Sequence, residues 1–332
     1  MICALHNTIF TMSIEQNREE LGDDIYCIDS GYLRPKMAAC YLIREGDAAA
    51  ILDTGTNFTA PTVYALLNAL GLTRDNVKYV LPTHVHLDHA GGVGQLMADC
   101  ANAQLVIHPK GALHMIDPSR IAAGATAVYG EERFTNDYGT LLPVAEERVI
   151  AAQDGDTFNL NGRTLTFYDT PGHANHHGCI LDSKTHAIVT GDTFGLSYRE
   201  LKTDKGDYIF APSTPVAFDP DAWHQSIDKL MALNPSAMLL THYSRVTDLE
   251  SLAEQLHRNI DAIAEIAISE EGEEAGRHER IKGKLGDLTA QQIIDHGVDM
   301  NKEQILEFLA SDLELNAQGL EVWLKRRAKA RS

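Results

Sequence analysis

His84-Val85-His86-Leu87-Asp88-His89 follows directly on the apolar run Val77-Lys78-Tyr79-Val80-Leu81. Four side chains able to bind a metal thus fall within six positions, just past what reads as a buried strand. A strand that ends in a His-x-His-x-Asp-His turn aims several ligands at one point. Imidazole nitrogen with carboxylate oxygen is the donor set that suits zinc, with iron and manganese as competitors. The chain holds only 15 histidines in 332 residues, so a solvated turn that is His-rich by accident is a poor account of this cluster.

Outward from that turn, residues 25–28, 38–43 and 49–52 read as strands separated by turn formers. Residues 61–70 read as a helix with Pro61 in its first turn and Gly71 as its stop. A short helix at 94–100 and a strand at 104–108 come after the histidine turn. Residues 110–143, helical fragments broken by Gly, Thr and Asn, read as an insertion beside it. Strands resume at 148–151, 157–160, 164–168, 179–181 and 187–190, with Asn161-Gly162 as a hairpin turn. A helix at 220–233 leads into a strand at 237–240. That order points to a layered α/β architecture. Three further candidate ligands repeat the logic of a polar residue just past an apolar strand: His173, Asp192 and His242. In layered α/β folds, sites gather where strand ends meet.

Beyond 247 the pattern is helical only. Leu249, Leu252, Leu256, Ile260 and Ile263 form one apolar face. Thr289-x-x-Gln292 and Asn301-x-x-Gln304 read as capping-box helix starts. The division expected is an N-terminal extension (1–24), a catalytic domain (25–247) and a helical C-terminal extension (248–332). The apolar faces of that extension favour a homodimer, the commonest oligomer. Met12 reads as an ordinary start, which makes the first eleven residues dispensable.

The net charge is −19, from 28 basic and 47 acidic residues. This argues against a nucleic-acid partner, which needs a basic footprint. No apolar stretch reaches the roughly 18–20 residues that span a bilayer, which argues against a membrane partner. Cys3, Cys27, Cys40, Cys100 and Cys179 are scattered and never in Cys-x-x-Cys spacing, as expected of buried thiols in a cytoplasmic protein. Gly-x-Ser-x-Gly is absent, as is a phosphate-cradling Gly-rich loop, so no rival nucleophile competes with metal chemistry.

Taken in order, Leu52-Asp53-Thr54-Gly55, Thr83-His84-Val85-His86-Leu87-Asp88-His89-Ala90-Gly91-Gly92, Thr170-Pro171-Gly172-His173, Gly191-Asp192-Thr193 and Thr241-His242 resemble the metallo-β-lactamase-fold hydrolase superfamily over residues 25–245. The resemblance implies a four-layer αββα sandwich, here with an all-helical C-terminal extension, and two divalent ions at one edge. It implies that His84, His86 and His173 hold the first ion, that Asp88, His89 and His242 hold the second, and that Asp192 bridges them. It further implies that Asp53 orients ligand imidazoles and that His177 stands near the site, whereas His176 has no assignable duty and is expected at the surface. Asp88 is also the candidate to orient a nucleophile or relay its proton. The implied reaction is attack of a hydroxide, shared by two ions (zinc first, iron or manganese as alternatives), on an ester, thioester or lactone carbonyl of a small molecule.

Narrower membership stays open. The Gly-Cys-Gly-Arg run common in glyoxalase II and persulfide dioxygenases is missing, and Gly195 stands where acyl-homoserine lactonases place a Tyr. His86 disfavours the flavodiiron class, which has Glu there. What remains is a broad glyoxalase-II-like group. An iron-dependent persulfide dioxygenase, a phosphodiesterase or phosphotriesterase, and a regulatory protein with incidental hydrolysis are the alternatives. The segment 195–215, with Tyr198, Tyr208, Phe210, Pro212 and Pro215, is expected to wall the substrate pocket together with the helical tail.

Overall fold

Central strands that are apolar on both faces need a covering layer on each side. The computed structural model describes residues 18–213 and 217–331, so Cys3, the start at Met12 and Pro215 lie outside the described residues. One sheet runs in the order β1 (Arg18–Gly22), β2 (Ile25–Asp29), β3 (Ala39–Glu45), β4 (Ala48–Leu52), β5 (Val77–Leu81), β6 (Gln104–Ile107) and β7 (Val149–Ala151). The other contains β8 (Thr157–Leu160), β9 (Arg163–Asp169), β10 (Gly178–Asp182), β11 (Ile188–Gly191), β12 (Met238–Leu240) and β13 (Ser244–Val246), again ordered by sequence.

Successive side chains on a strand point to opposite faces, and the cores divide accordingly. Tyr41, Leu81, Phe167, Val189 and Leu239 pack between the sheets. Leu42 and Val80 point outward, under α1 (Ala60–Ala69), α3 (Val93–Asp99) and α4 (Pro109–Ile116). Ile188, Met238 and Leu240 point to the opposite outer face, under α7 (Pro220–Ala232) and the helical tail. The result is the expected αββα sandwich. Between α1 and α3, α2 (Leu87–Ala90) is a single turn inside the histidine motif. The stretch 110–143 forms α4, α5 (Ser119–Tyr129) and α6 (Glu131–Tyr138).

The tail consists of α8 (Leu249–Ser269), α9 (Arg277–His296), α10 (Lys302–Phe308) and α11 (Ala310–Arg331). Its Leu252, Leu256, Ile260, Leu309, Leu320 and Leu324 share one apolar core with the outer face of the second sheet. The faces that suggested a dimer are therefore buried within the chain itself. Asn301 does cap α10, its side chain accepting from the Gln304 N–H while Gln304 returns the bond. Thr289 instead lies inside α9, because burial of Ile281, Leu285, Ala290 and Ile293 carries that helix through the position. The first sheet begins earlier than residue 25: β1 pairs antiparallel with β2 within the stretch read as an extension. Its sequence, Arg-Glu-Glu-Leu-Gly, is that of a charged edge strand, which gives little apolar signal. Among the described residues no helix is long and apolar enough to cross a membrane.

β4 runs parallel to β5, and β11 to β12, while β9 and β11 both pair antiparallel with β10. The segments that follow β4, β5, β9, β11 and β12 thus carry Asp53, the histidine turn, His173, Asp192 and His242 to one edge.

Candidate metal centre

Two groups of ligand atoms meet at that edge. His84, His86, His173 and Asp192 bring one donor each within 4.8 Å of one another, and so do Asp88, His89 and His242. Asp192 joins the two groups. Its Oδ2 lies 3.4 Å from His173 Nε2, and its Oδ1 lies 3.3 Å from His89 Nε2 and 3.6 Å from His242 Nε2. Asp88 Oδ2 is 3.3 Å from His242 Nε2.

Three of the imidazoles are held from behind, which fixes the nitrogen left to bind. His173 Nδ1 donates to the Pro212 carbonyl at 2.8 Å and His242 Nδ1 to the Met37 carbonyl at 2.6 Å. His89 Nδ1 donates to Asp53 Oδ2 at 2.8 Å. Carbonyl and carboxylate oxygens only accept, so Nε2 is the nitrogen that faces the centre in all three rings, and it carries the lone pair when the ring is neutral. His86 faces it through Nδ1, 2.7 Å from His84 Nε2 and 3.1 Å from His173 Nε2. Asp53, fully buried with φ at 52°, also accepts from the Thr83 N–H, the Thr83 hydroxyl and the Thr241 hydroxyl. One carboxylate thereby ties together the ends of β4, β5 and β12.

His177 is buried but aims no nitrogen at the two groups. Its Nδ1 meets the hydroxyls of Thr170 and Thr193, each at 3.0 Å, and its Nε2 accepts the Asp192 N–H at 3.2 Å. It fixes the backbone that presents Asp192. Gly191, at φ 48°, leaves the space this requires, since a Cβ there would stand 2.7 Å from His177 Nε2. Gly172 serves His173 in the same way: its φ is 138°, and a Cβ would fall 2.3 Å from the Trp223 backbone. His176 is half-buried rather than at the surface. Its ring stacks at 6.1 Å on His84 and lies 5.7 Å from His86, and its buried Nδ1 has no hydrogen-bond partner. Burial pushes it down to about 3.

The electrostatics favour a cation. Burial, reinforced by neighbouring rings, pushes His84 and His86 well below the usual imidazole range, so both are neutral donors. Burial alone would raise Asp88 and lower His89. The His89 and His242 charges instead bring Asp88 down to about 2, and Asp192, Asp53 and Asp88 hold His89 well above its ordinary value. Asp192 Oδ1 is buried without a hydrogen-bond partner, a costly state that a bound cation relieves. Nitrogen and oxygen donors in this set fit divalent metal.

A model of the metallo-beta-lactamase superfamily matches residues 33–242. The chain belongs to that superfamily. Lactamase-like protein aptB of Emericella nidulans is 26% identical over 318 residues, 92% of this chain and 86% of aptB. Acyl-coenzyme A thioesterase MBLAC2 of Bos taurus is 25% identical over 189 residues, 52% of this chain and 64% of that protein. The solved archaeal superfamily member ST1585 from Sulfolobus tokodaii shares the fold at a TM-score of 0.61 and 20% identity, covering 90% of this chain and 99% of ST1585. Metallo-beta-lactamase superfamily members are generally hydrolases, and the paired His/Asp groups supply the donors that such chemistry needs.

The structure places all seven ligand candidates in these two neighbouring groups, with Asp53 and His177 behind them. Sequence reasoning missed the Met37 and Pro212 carbonyls, because a backbone acceptor has no residue-type signature. It also missed Asp312 of the tail, whose Oδ1 accepts from the Tyr198 hydroxyl at 2.9 Å.

Proposed function

We propose that this chain is a hydrolase of small acyl compounds, thioesters or esters first and lactones next, working with two zinc ions. The supporting observation is Asp192, whose two oxygens are divided between the two ligand groups. In this reading His84, His86 and His173 would hold one ion and Asp88, His89 and His242 the other, with Asp192 as a ligand available to both groups. Ions held so would supply Lewis acidity and lower the pKa of a bound water toward neutrality.

The chain's own groups do the rest. Asp53 and the Met37 and Pro212 carbonyls keep His89, His242 and His173 in the tautomer that offers Nε2. His177 holds the Asp192 backbone. Asp88, ionised and with its side chain 23% exposed, is the carboxylate placed to orient water entering the centre. Leu33, Phe58 and Leu113 leave large apolar side chains exposed on segments that also carry Met37, Asp53 and His114, and that suits an acyl chain. MBLAC2, named as an acyl-coenzyme A thioesterase, favours the thioester within this range and with it the glyoxalase-II-like group. The buried free thiols Cys27, Cys40, Cys100 and Cys179 favour the cytoplasm.

Metal-loaded protein screened against thioesters, esters, lactones and phosphoesters tests the proposal. Turnover of a thioester or ester, lost in His84→Ala and Asp192→Ala, is expected. One iron per chain with oxygen uptake on a glutathione persulfide would overturn it.

A further inference from the structure

Away from this centre, α7 and α8 carry the same spacing, His224-x-x-x-Asp228 and His257-x-x-x-Asp261. Residues four apart share one helix face, so each helix presents a histidine and a carboxylate side by side. The two faces meet, and the pairing is crossed. His224 Nε2 lies 2.9 Å from Asp261 Oδ1, and His257 Nε2 lies 3.2 Å from Asp228 Oδ1. Each carboxylate accepts from an Nε2–H, which leaves the two Nδ1 atoms to face each other. Those two Nδ1 atoms stand 2.5 Å apart, on rings inclined by 21°.

Two nitrogens that close share a proton between them, and a metal ion can take the proton's place. A carboxylate behind the ring and a bare nitrogen in front is also the arrangement of Asp53 and His89 at the candidate centre. It is the usual way of orienting and strengthening an imidazole ligand. The side chains of His224 and His257 are 25% and 27% exposed, so an ion reaches them from solvent and water can complete its shell. Zinc–nitrogen bonds of about 2.0–2.1 Å at a tetrahedral angle need the nitrogens roughly 3.3 Å apart. The pair has to open by roughly 0.8 Å to admit the ion.

We propose that His224 and His257 form a separate binding site for one divalent transition-metal ion, zinc or nickel, oriented by Asp261 and Asp228. The ion clasps α7 of the sandwich to α8 of the helical tail. Both helices brace His173 of the candidate centre. Trp223, beside His224, packs 5.7 Å from the His173 ring. Asn259 of α8 accepts from the Ala211 N–H, next to the Pro212 carbonyl that holds His173. The clasp thus stiffens the support of a ligand without touching the reacting atoms.

The test uses full-length protein whose candidate centre is already saturated with zinc. Adding further zinc to the wild type should bind one more ion per chain and raise the melting temperature. His224→Gln/His257→Gln should lose both effects while retaining the metal of the candidate centre. Asp228→Asn/Asp261→Asn keeps both rings and should weaken the added step by about 10–100-fold, so the proposal stays testable if the histidine variant folds poorly. Copper(II) at the site should show nitrogen hyperfine coupling from two imidazoles. Equal zinc uptake and equal stabilisation in the wild type and the variants would overturn the proposal.

Discussion

The Tyr198 hydroxyl donates to Asp312 Oδ1 at 2.9 Å, joining the loop after β11 to α11. The Tyr198 ring stands edge-on to the metal-ligand candidate His242 at 6.3 Å, and Arg34 lies over the Tyr198 and Phe308 rings, 4.6 Å from each centroid. Burial holds the Asp312 carboxyl up. The tail therefore contributes to the wall behind His242. Tyr198→Phe removes one hydrogen bond to a carboxylate and should cost roughly 1.5–3 kcal/mol in urea unfolding. The same variant should weaken metal binding at the candidate centre. An unchanged unfolding midpoint would show that the contact contributes nothing to stability.

The tail is also half of a shared core. Leu252, Leu256, Ile260, Leu309, Leu320 and Leu324 bury their side chains against the second sheet and α7. At about 1.5–3 kcal/mol for each buried aliphatic side chain, their loss rivals a whole domain's net stability of roughly 5–15 kcal/mol. A chain ending at residue 247 should lose its near-UV circular dichroism and its cooperative melt. A sharp transition in that fragment would show that the sandwich folds alone.

Asp53 binds no ion in this account, yet it fixes His89 and three strand ends. Asp53→Ala should lower metal affinity by about 10–100-fold, read by titration with a competing chelator. Wild-type affinity in that variant would mean that the His89 ring is held by other contacts.

Much of this centre was legible because its chemistry is carried by residue type at strand ends. His84 to His89, His173, Asp192 and His242 each follow an apolar run, and Asn161-Gly162 marked its hairpin without help from tertiary contacts. The rest depended on packing. β1 carries two glutamates and an arginine and is a strand only because β2 offers it an edge. Thr289 looked like a helix start, but the buried face of α9 runs through it. Tyr198 and Asp312 are 114 residues apart, and the crossed pairing of His224 with Asp261 appears only once two helices are set face to face.

Arg163 and Asp182 form a buried pair at 2.6 Å, with side chains 1% and 2% exposed. Burial alone would raise the Asp182 carboxyl, but Arg163 and Thr185 hold it below its ordinary value. A depressed carboxyl contributes stability above its unfolded pKa of about 3.9, and that contribution is lost as pH falls through the folded value. Arg163→Ala strands a buried charge and should cost roughly 3–5 kcal/mol at neutral pH. The gap from the wild type should narrow in acid, where Asp182 takes up a proton. Urea melts at neutral pH and at about pH 3 measure it, and a gap independent of pH would assign the loss to packing.

Anomalous diffraction from crystals grown with zinc tests the central claim most directly. Two peaks are expected, one among His84, His86 and His173 and one among Asp88, His89 and His242, with an Asp192 oxygen at bonding distance from each. No peak at this edge, or a single ion that leaves one group without metal, would contradict the account.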